Sequence, residues 1–245
     1  MSWDAARQAD LNVRAPVTSV RKFKLEATQR LLGNTITLSE QAWQEPSRLT
    51  GWTRAHVATH VARNAEAFVR AVDAVLLGRR GLMYDTDEDR DLAIERGSER
   101  SGLDQQIDLD TTAGRLNRRF NVLEQMPVDL MVELRPGELF RAGLLPLIRL
   151  NEVVLHHVDL DCGFEVSQVD PVIARWLLEW NALDAIRDDA LPAVRLLSDS
   201  GFTVDLGPAG STTLVEGTDA VLLGWLTGRL NPDEALHMPD SPQLR

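Results

Sequence analysis

From Thr53 to Gly78 the chain carries a long amphipathic stretch. Its apolar residues Val57, Val61, Phe68, Val72, Val75 and Leu76 step by three and four. That spacing predicts one continuous helix, with the Thr53 hydroxyl placed to cap its start and Gly78 to stop it. A long helix with a single apolar stripe needs other helices to cover it, and the flanking sequence supplies them. Val20, Phe23, Leu25, Ala27, Leu31 and Leu32 fall at helical spacing, and a short segment over 38–43 breaks at Glu45-Pro46-Ser47. A further helix is expected from about residue 111 to 126, closed by Pro127, and residues 144–158 read as a buried helix. Residues 79–110 hold the run Asp85-Thr86-Asp87-Glu88-Asp89-Arg90-Asp91, expected to form a solvated connection and an exposed helix. Residues 128–134 alternate weakly and read as a short extended piece before Pro136-Gly137. Four sizeable helices joined by loops predict a bundle.

The pattern shifts after Cys162-Gly163-Phe164. A helix is expected over 171–186, with Val172, Ala174, Trp176, Leu177, Trp180 and Leu183 apolar. Two short strands, 193–197 and 202–206, flank the turn Asp199-Ser200-Gly201. Residues 212–216 read as a third strand and 219–227 as a short helix ending at Gly228. The expected fold is α+β, with a helical bundle over 1–165 and a small α/β domain over 166–245. The second segment is the more acidic, with five cations against twelve acids.

Composition narrows the function. With 245 residues, 44% hydrophobic, the chain can bury a core of its own. A net charge of −11 argues against a nucleic-acid partner, since a phosphate-binding surface is rich in clustered Lys and Arg. Only Lys22 and Lys24 are lysines, and the arginines are scattered. The single cysteine, Cys162, excludes an internal disulfide or a cysteine-built zinc site. The N-terminal residues are polar, without the apolar run of a signal peptide. No stretch approaches the roughly 18–20 apolar residues of a membrane span. The expectation is a soluble cytoplasmic protein.

The strongest local signal is Arg149-Leu150-Asn151-Glu152-Val153-Val154-Leu155-His156-His157-Val158-Asp159. Glu152 and His156, four apart, project from one helix face about a turn apart and can share a divalent metal. The surrounding helix is apolar, and a buried Glu is costly unless paired or coordinating. An isolated Glu-x3-His is more often a hydrogen bond inside a bundle, and a third ligand changes that balance. Of the other histidines, His237 lies in a Pro-rich tail, His157 points away from His156, and His56 falls in the first turn after Thr53. His60 sits in register with Val57, Val61, Asn64 and Phe68 on the core stripe. His60, Glu152 and His156 then form a His2Glu set with a fourth position open, which fits catalytic zinc, although non-haem iron uses a similar set.

Gly51-Trp52-Thr53-Arg54-Ala55-His56-Val57-Ala58-Thr59-His60-Val61-Ala62, followed some ninety residues later by Glu152-x3-His156, resembles the mycothiol-dependent maleylpyruvate isomerases of the DinB-like metal-binding bundles. The resemblance spans nearly the whole chain, because that family adds a small α/β domain after its bundle. It implies a zinc site at His60, Glu152 and His156, mycothiol as an external thiol, and isomerisation of maleylpyruvate to fumarylpyruvate in gentisate breakdown. Cys162 then keeps a structural role.

Arg229, in Gly224-Trp225-Leu226-Thr227-Gly228-Arg229, resembles the Trp-Leu-x-Gly-Arg ending of such C-terminal domains and is the candidate clamp for a substrate carboxylate. A helix-end Arg favoured by the macrodipole explains it equally well. Arg149 and Asn64 are candidates for the cofactor side of the site, and Asp159 for orienting His156. Two alternatives stand beside the isomerase. One is a metal-dependent thiol S-transferase or hydrolase on the same site, and the other is a non-catalytic zinc-linked regulatory module.

Overall fold

The computed structural model describes residues 15–79, 83, 86–126, 130–135, 138–186, 191–208, 210, 212–235 and 238–239. The chain divides into two compact units, Met1–Gly163 and Phe164–Arg245.

Four long helices build the first unit: α1 (Val17–Thr35), α3 (Arg54–Leu76), α5 (Gly102–Leu123) and α6 (Leu145–Asp159). The short α2 (Glu40–Trp43) and the outer α4 (Asp87–Ser98) join them. Side-chain caps set most of the starts. Ser39 accepts from the Ala42 amide, Thr86 from Asp89 and Ser101 from Asp104, each filling an orphan N–H of a first turn.

Cross-helix contacts give the directions. Lys24 faces Arg149, Arg30 faces His157, and Asn34 donates to the Cys162 carbonyl, so α1 and α6 run parallel. His60 and Asn64 meet Glu152, and Arg54 meets Leu160, so α3 runs against α6. Lys24 donates to Asn117 and Thr35 to Gln106, so α5 runs against α1.

The expected stripe of α3 is the heart of this unit. Val57, Val61, Phe68 and Val72 are buried, and Leu31, Trp43, Leu109, Val153 and Leu160 surround its first turns. Helix α1 differs from expectation, because its buried face is Val20, Lys24, Thr28, Leu31 and Thr35 while Leu25 is exposed. Thr28 and Thr35 satisfy their hydroxyls on the carbonyls of Lys24 and Leu31 one turn back, which lets that face be polar.

Helix α5 begins at Gly102, nine residues before the expected start. Its first turns expose Leu103 and Ile107 and bury Gln105, which bonds Thr59 and the Gly97 carbonyl, so the usual apolar periodicity is inverted there. The extended piece is the strand β1 (Met131–Arg135). It pairs antiparallel with an unanticipated β2 (Glu138–Arg141), burying Val132, Leu134 and Phe140. Pro127, Val128 and the turn Pro136-Gly137 lie outside the described residues.

In the second unit, α7 (Pro171–Ala185) starts with Asp170 accepting from the Val172 and Ile173 amides. Strands β3 (Val194–Ser198), β4 (Thr203–Leu206) and β5 (Thr213–Gly217) form a sheet of order β4-β3-β5, antiparallel then parallel. The tight turn between β3 and β4 places Gly201 at φ 84°, where a side chain would be strained. Helix α8 (Asp219–Leu226) packs on α7, and a short α9 (Pro232–Ala235) follows.

Candidate metal centre

The loop before α3 and the segment after α6 fix the two helices that matter. Gly51 takes φ 82° in a turn closed by Ser47, whose amide and hydroxyl both donate to the Trp52 carbonyl. Thr53 then caps α3. Its hydroxyl accepts from the His56 amide, while its own amide donates to His56 Nδ1 at 3.3 Å, a reciprocal capping box. Arg54 Nε donates to the Leu160 carbonyl at 2.8 Å and Nη2 to the Asp161 carbonyl at 3.1 Å. The first residue of α3 is thereby tied to the end of α6.

This clamp brings His60, Glu152 and His156 together, with one ligand atom from each lying within 4.8 Å of the others. His60 Nε2 stands 3.3 Å from Glu152 Oε2, and His156 Nε2 stands 3.6 Å from the same oxygen. The second distance is too long for a hydrogen bond. Both are close to the edge of a tetrahedron of zinc ligands at usual bond lengths, about 3.3–3.5 Å. The two imidazoles meet edge to face, with centroids 4.5 Å apart. The donor set and spacing therefore fit a divalent metal. The side chains of Glu152 and His156 are 24% and 15% exposed, so the cluster opens toward solvent on one side.

Each ligand has a different support. His156 Nδ1 lies 2.8 Å from Asp159 Oδ2, which leaves Nε2 as the nitrogen facing the cluster. Glu152 Oε2 accepts from Asn64 Nδ2 at 3.1 Å, and Asn64 Oδ1 accepts from Arg149 Nη1 at 2.5 Å. His60 Nδ1 is buried with no hydrogen-bond partner among the described residues, and its ring is held by packing, with Trp52 5.7 Å away.

Burial raises the Glu152 pKa, but the two histidines outweigh it and hold the carboxyl well below its usual range. Burial lowers the His156 pKa, and Asp159 and Glu152 raise it by more. Burial and then His156 lower that of His60 against the pull of Glu152. Glu152 is thus an anion between two imidazoles, the charge arrangement a cation would join.

The remaining residues fall elsewhere. His56 contacts Thr53 through Nδ1 and Ser98 through Nε2, and so belongs to the cap of α3. His157 is buried on the α1 side, and burial followed by Arg30 pushes its pKa down to about 3. His237 lies outside the described residues. Cys162 packs against the apolar cluster of the first unit, and burial raises its thiol pKa. Arg229 lies just past α8 and donates from Nη1 to the Thr227 carbonyl at 2.8 Å. Sequence reasoning missed the Arg54 clamp and the place of Trp52 beside His60. An arginine at a helix start and an aromatic before a cap signal neither contact.

Residues 25–161 match the family described as the mycothiol maleylpyruvate isomerase N-terminal domain. A crystal structure of the mycothiol-dependent maleylpyruvate isomerase is 23% identical with a TM-score of 0.84, over 93% of this chain and 97% of that one. A crystal structure of a mutant of the mycothiol-dependent maleylpyruvate isomerase is 22% identical, with the same TM-score and coverage. At that identity the likeness establishes the fold, a helical bundle with a small α/β part. No curated protein sequence matches the chain.

Proposed function

The chain belongs to the mycothiol maleylpyruvate isomerase N-terminal domain family, and from that premise we propose that it is a zinc- and mycothiol-dependent cis–trans isomerase. It turns maleylpyruvate into fumarylpyruvate in gentisate catabolism, in the cytoplasm. The observation that carries this reading is the solvent-facing His60, Glu152 and His156 cluster.

A conjugated carbon–carbon double bond turns only after a nucleophile adds and leaves a single bond in its place. An external thiol such as mycothiol supplies that nucleophile, and a bound divalent metal lowers the pKa of a coordinated thiol so that it is held as thiolate. His60, Glu152 and His156 would hold the metal, and Asp159 fixes the ring of His156. Asn64 holds the Glu152 oxygen and Arg149 holds Asn64, and on this reading both line the side where the cofactor or substrate enters. Cys162 takes no part, because its burial keeps the thiol protonated. Arg229 is the candidate for one substrate carboxylate, using the guanidinium fork that now rests partly on Thr227.

The test is a balance of product against thiol. The protein should convert many equivalents of maleylpyruvate while free mycothiol stays constant. Consumption of one thiol per product would instead identify an S-transferase on the same site.

A further inference from the structure

The two histidines of the candidate metal centre are not supported alike, and the difference falls on His60. An imidazole that coordinates through Nε2 carries its proton on Nδ1, and that N–H usually donates to a carboxylate or carbonyl behind it. His156 has such a partner in Asp159. His60 is buried, and its Nδ1 has no hydrogen-bond partner among the described residues. No hydrogen bond at that nitrogen sets the direction of this ring.

Beside it stands Trp52. The two rings are tilted by 51° with centroids 5.7 Å apart, inside the range of an aromatic contact. Trp52 is held from its other sides. Its indole stacks on the His56 imidazole, with centroids 6.3 Å apart and planes 27° from parallel. That imidazole is itself pinned, by the Thr53 amide at Nδ1 and by Ser98 Oγ 3.2 Å from Nε2. The main chain of Trp52 is fixed as well. Its amide donates to the Leu49 carbonyl at 3.0 Å, and its carbonyl accepts from the amide and hydroxyl of Ser47 at 2.9 and 2.8 Å. The side chain also packs on the apolar cluster of the bundle. A large ring with only two side-chain torsions is thus set between the imidazole of the α3 cap and a ligand imidazole one turn further along α3.

We propose that Trp52 is the positioning residue of His60, fixing its ring by contact as Asp159 fixes that of His156 by a hydrogen bond, with His56 as the backing of the stack. The proposal rests on His60, Glu152 and His156 being metal ligands, and not on the identity of the substrate. A buried N–H without an acceptor is costly, so a His60 ring freed of the indole turns to bring Nδ1–H to water. That rotation takes Nε2 away from the cluster.

The experiment uses the chelator-stripped protein and two metals. Zn2+ affinity is measured by competition with a chelator. Co2+ reports geometry, because its visible absorption is strong in a four-coordinate site and weak in a six-coordinate one. Trp52→Leu, which keeps apolar bulk and removes the ring, should bind Zn2+ about tenfold or more weakly. At saturating Co2+ its absorption should fall well below that of wild type, as water replaces the His60 nitrogen. Trp52→Phe, which keeps a ring, should recover most of both. Trp52→Met serves if Trp52→Leu does not fold.

A merely structural role for Trp52 would lower the Tm and leave the spectrum of the Co2+-saturated protein unchanged, and that result overturns the proposal. Wild-type Zn2+ affinity in Trp52→Leu overturns it too. Failure of the ligand assignment looks different: His60→Ala would then bind Zn2+ as tightly as wild type, which removes the metal reading and the proposal with it.

Discussion

His156 and His60 differ in what stands behind them, and that difference sets expectations for single substitutions. His156 has Asp159 at 2.8 Å on its far nitrogen, while the far nitrogen of His60 has no partner among the described residues. Asp159→Asn should therefore weaken metal binding by roughly 10–100-fold, read by competition with a chelator. His60→Ala and His156→Ala should each lose the metal in elemental analysis, and full metal in both would refute the ligand assignment. Cys162→Ala should keep full activity, because burial outweighs the nearby Arg54 guanidinium and raises the thiol pKa; an inactive variant that folds and holds metal would bring the protein's own thiol into the reaction. At this scale the ligand spacing is legible because a helix fixes which face residues four apart share. Lys24 is not legible, since a lysine within an apolar stripe reads as a surface residue and only the three-dimensional neighbourhood shows it to be buried.

Among the elements, α3 bears the most on the site, for it carries both the core stripe and His60. Its start depends on the reciprocal bonds of Thr53 and His56. Thr53→Ala should lower stability by about 1 kcal/mol, measured as a shift in the urea midpoint at constant slope, and Thr53→Ser should recover most of it. An unmoved midpoint would mean that the Arg54 contacts to Leu160 and Asp161 alone fix this end. Helix α3 was legible because Val57, Val61, Phe68 and Val72 all point one way and the boundaries carry a cap and a glycine. The first turns of α5 were not, because Gln105 replaces an apolar residue inside and Leu103 and Ile107 lie outside. Strand β2 escaped for a related reason: four residues with one buried aromatic, Phe140, give too short a pattern to stand out from a loop.

Across the whole molecule, the two units differ in chemistry. The first holds the His2Glu cluster, and the second is acidic, with Arg229 one of its five cations. If Arg229 clamps a substrate carboxylate, Arg229→Ala should leave metal content unchanged while kcat/KM falls by about thirty- to a hundredfold, the loss of one charge-assisted contact of roughly 2–3 kcal/mol. Arg229→Lys should recover part of this, since it keeps the charge but not the fork. Wild-type kinetics in Arg229→Ala would reduce the residue to the helix-end cation that its bond to Thr227 describes. The change from helical to alternating pattern made the two kinds of architecture legible, whereas the order β4-β3-β5 was not, because strand spacing does not say on which side β5 joins.

The most direct measurement is the rate of maleylpyruvate isomerisation with mycothiol and zinc each present or withheld, starting from protein stripped by a chelator. Turnover should appear only when both are supplied, and should be absent in His156→Ala under the same conditions. Isomerisation that proceeds in the stripped protein, or without thiol, would contradict the assignment of the chemistry to His60, Glu152 and His156.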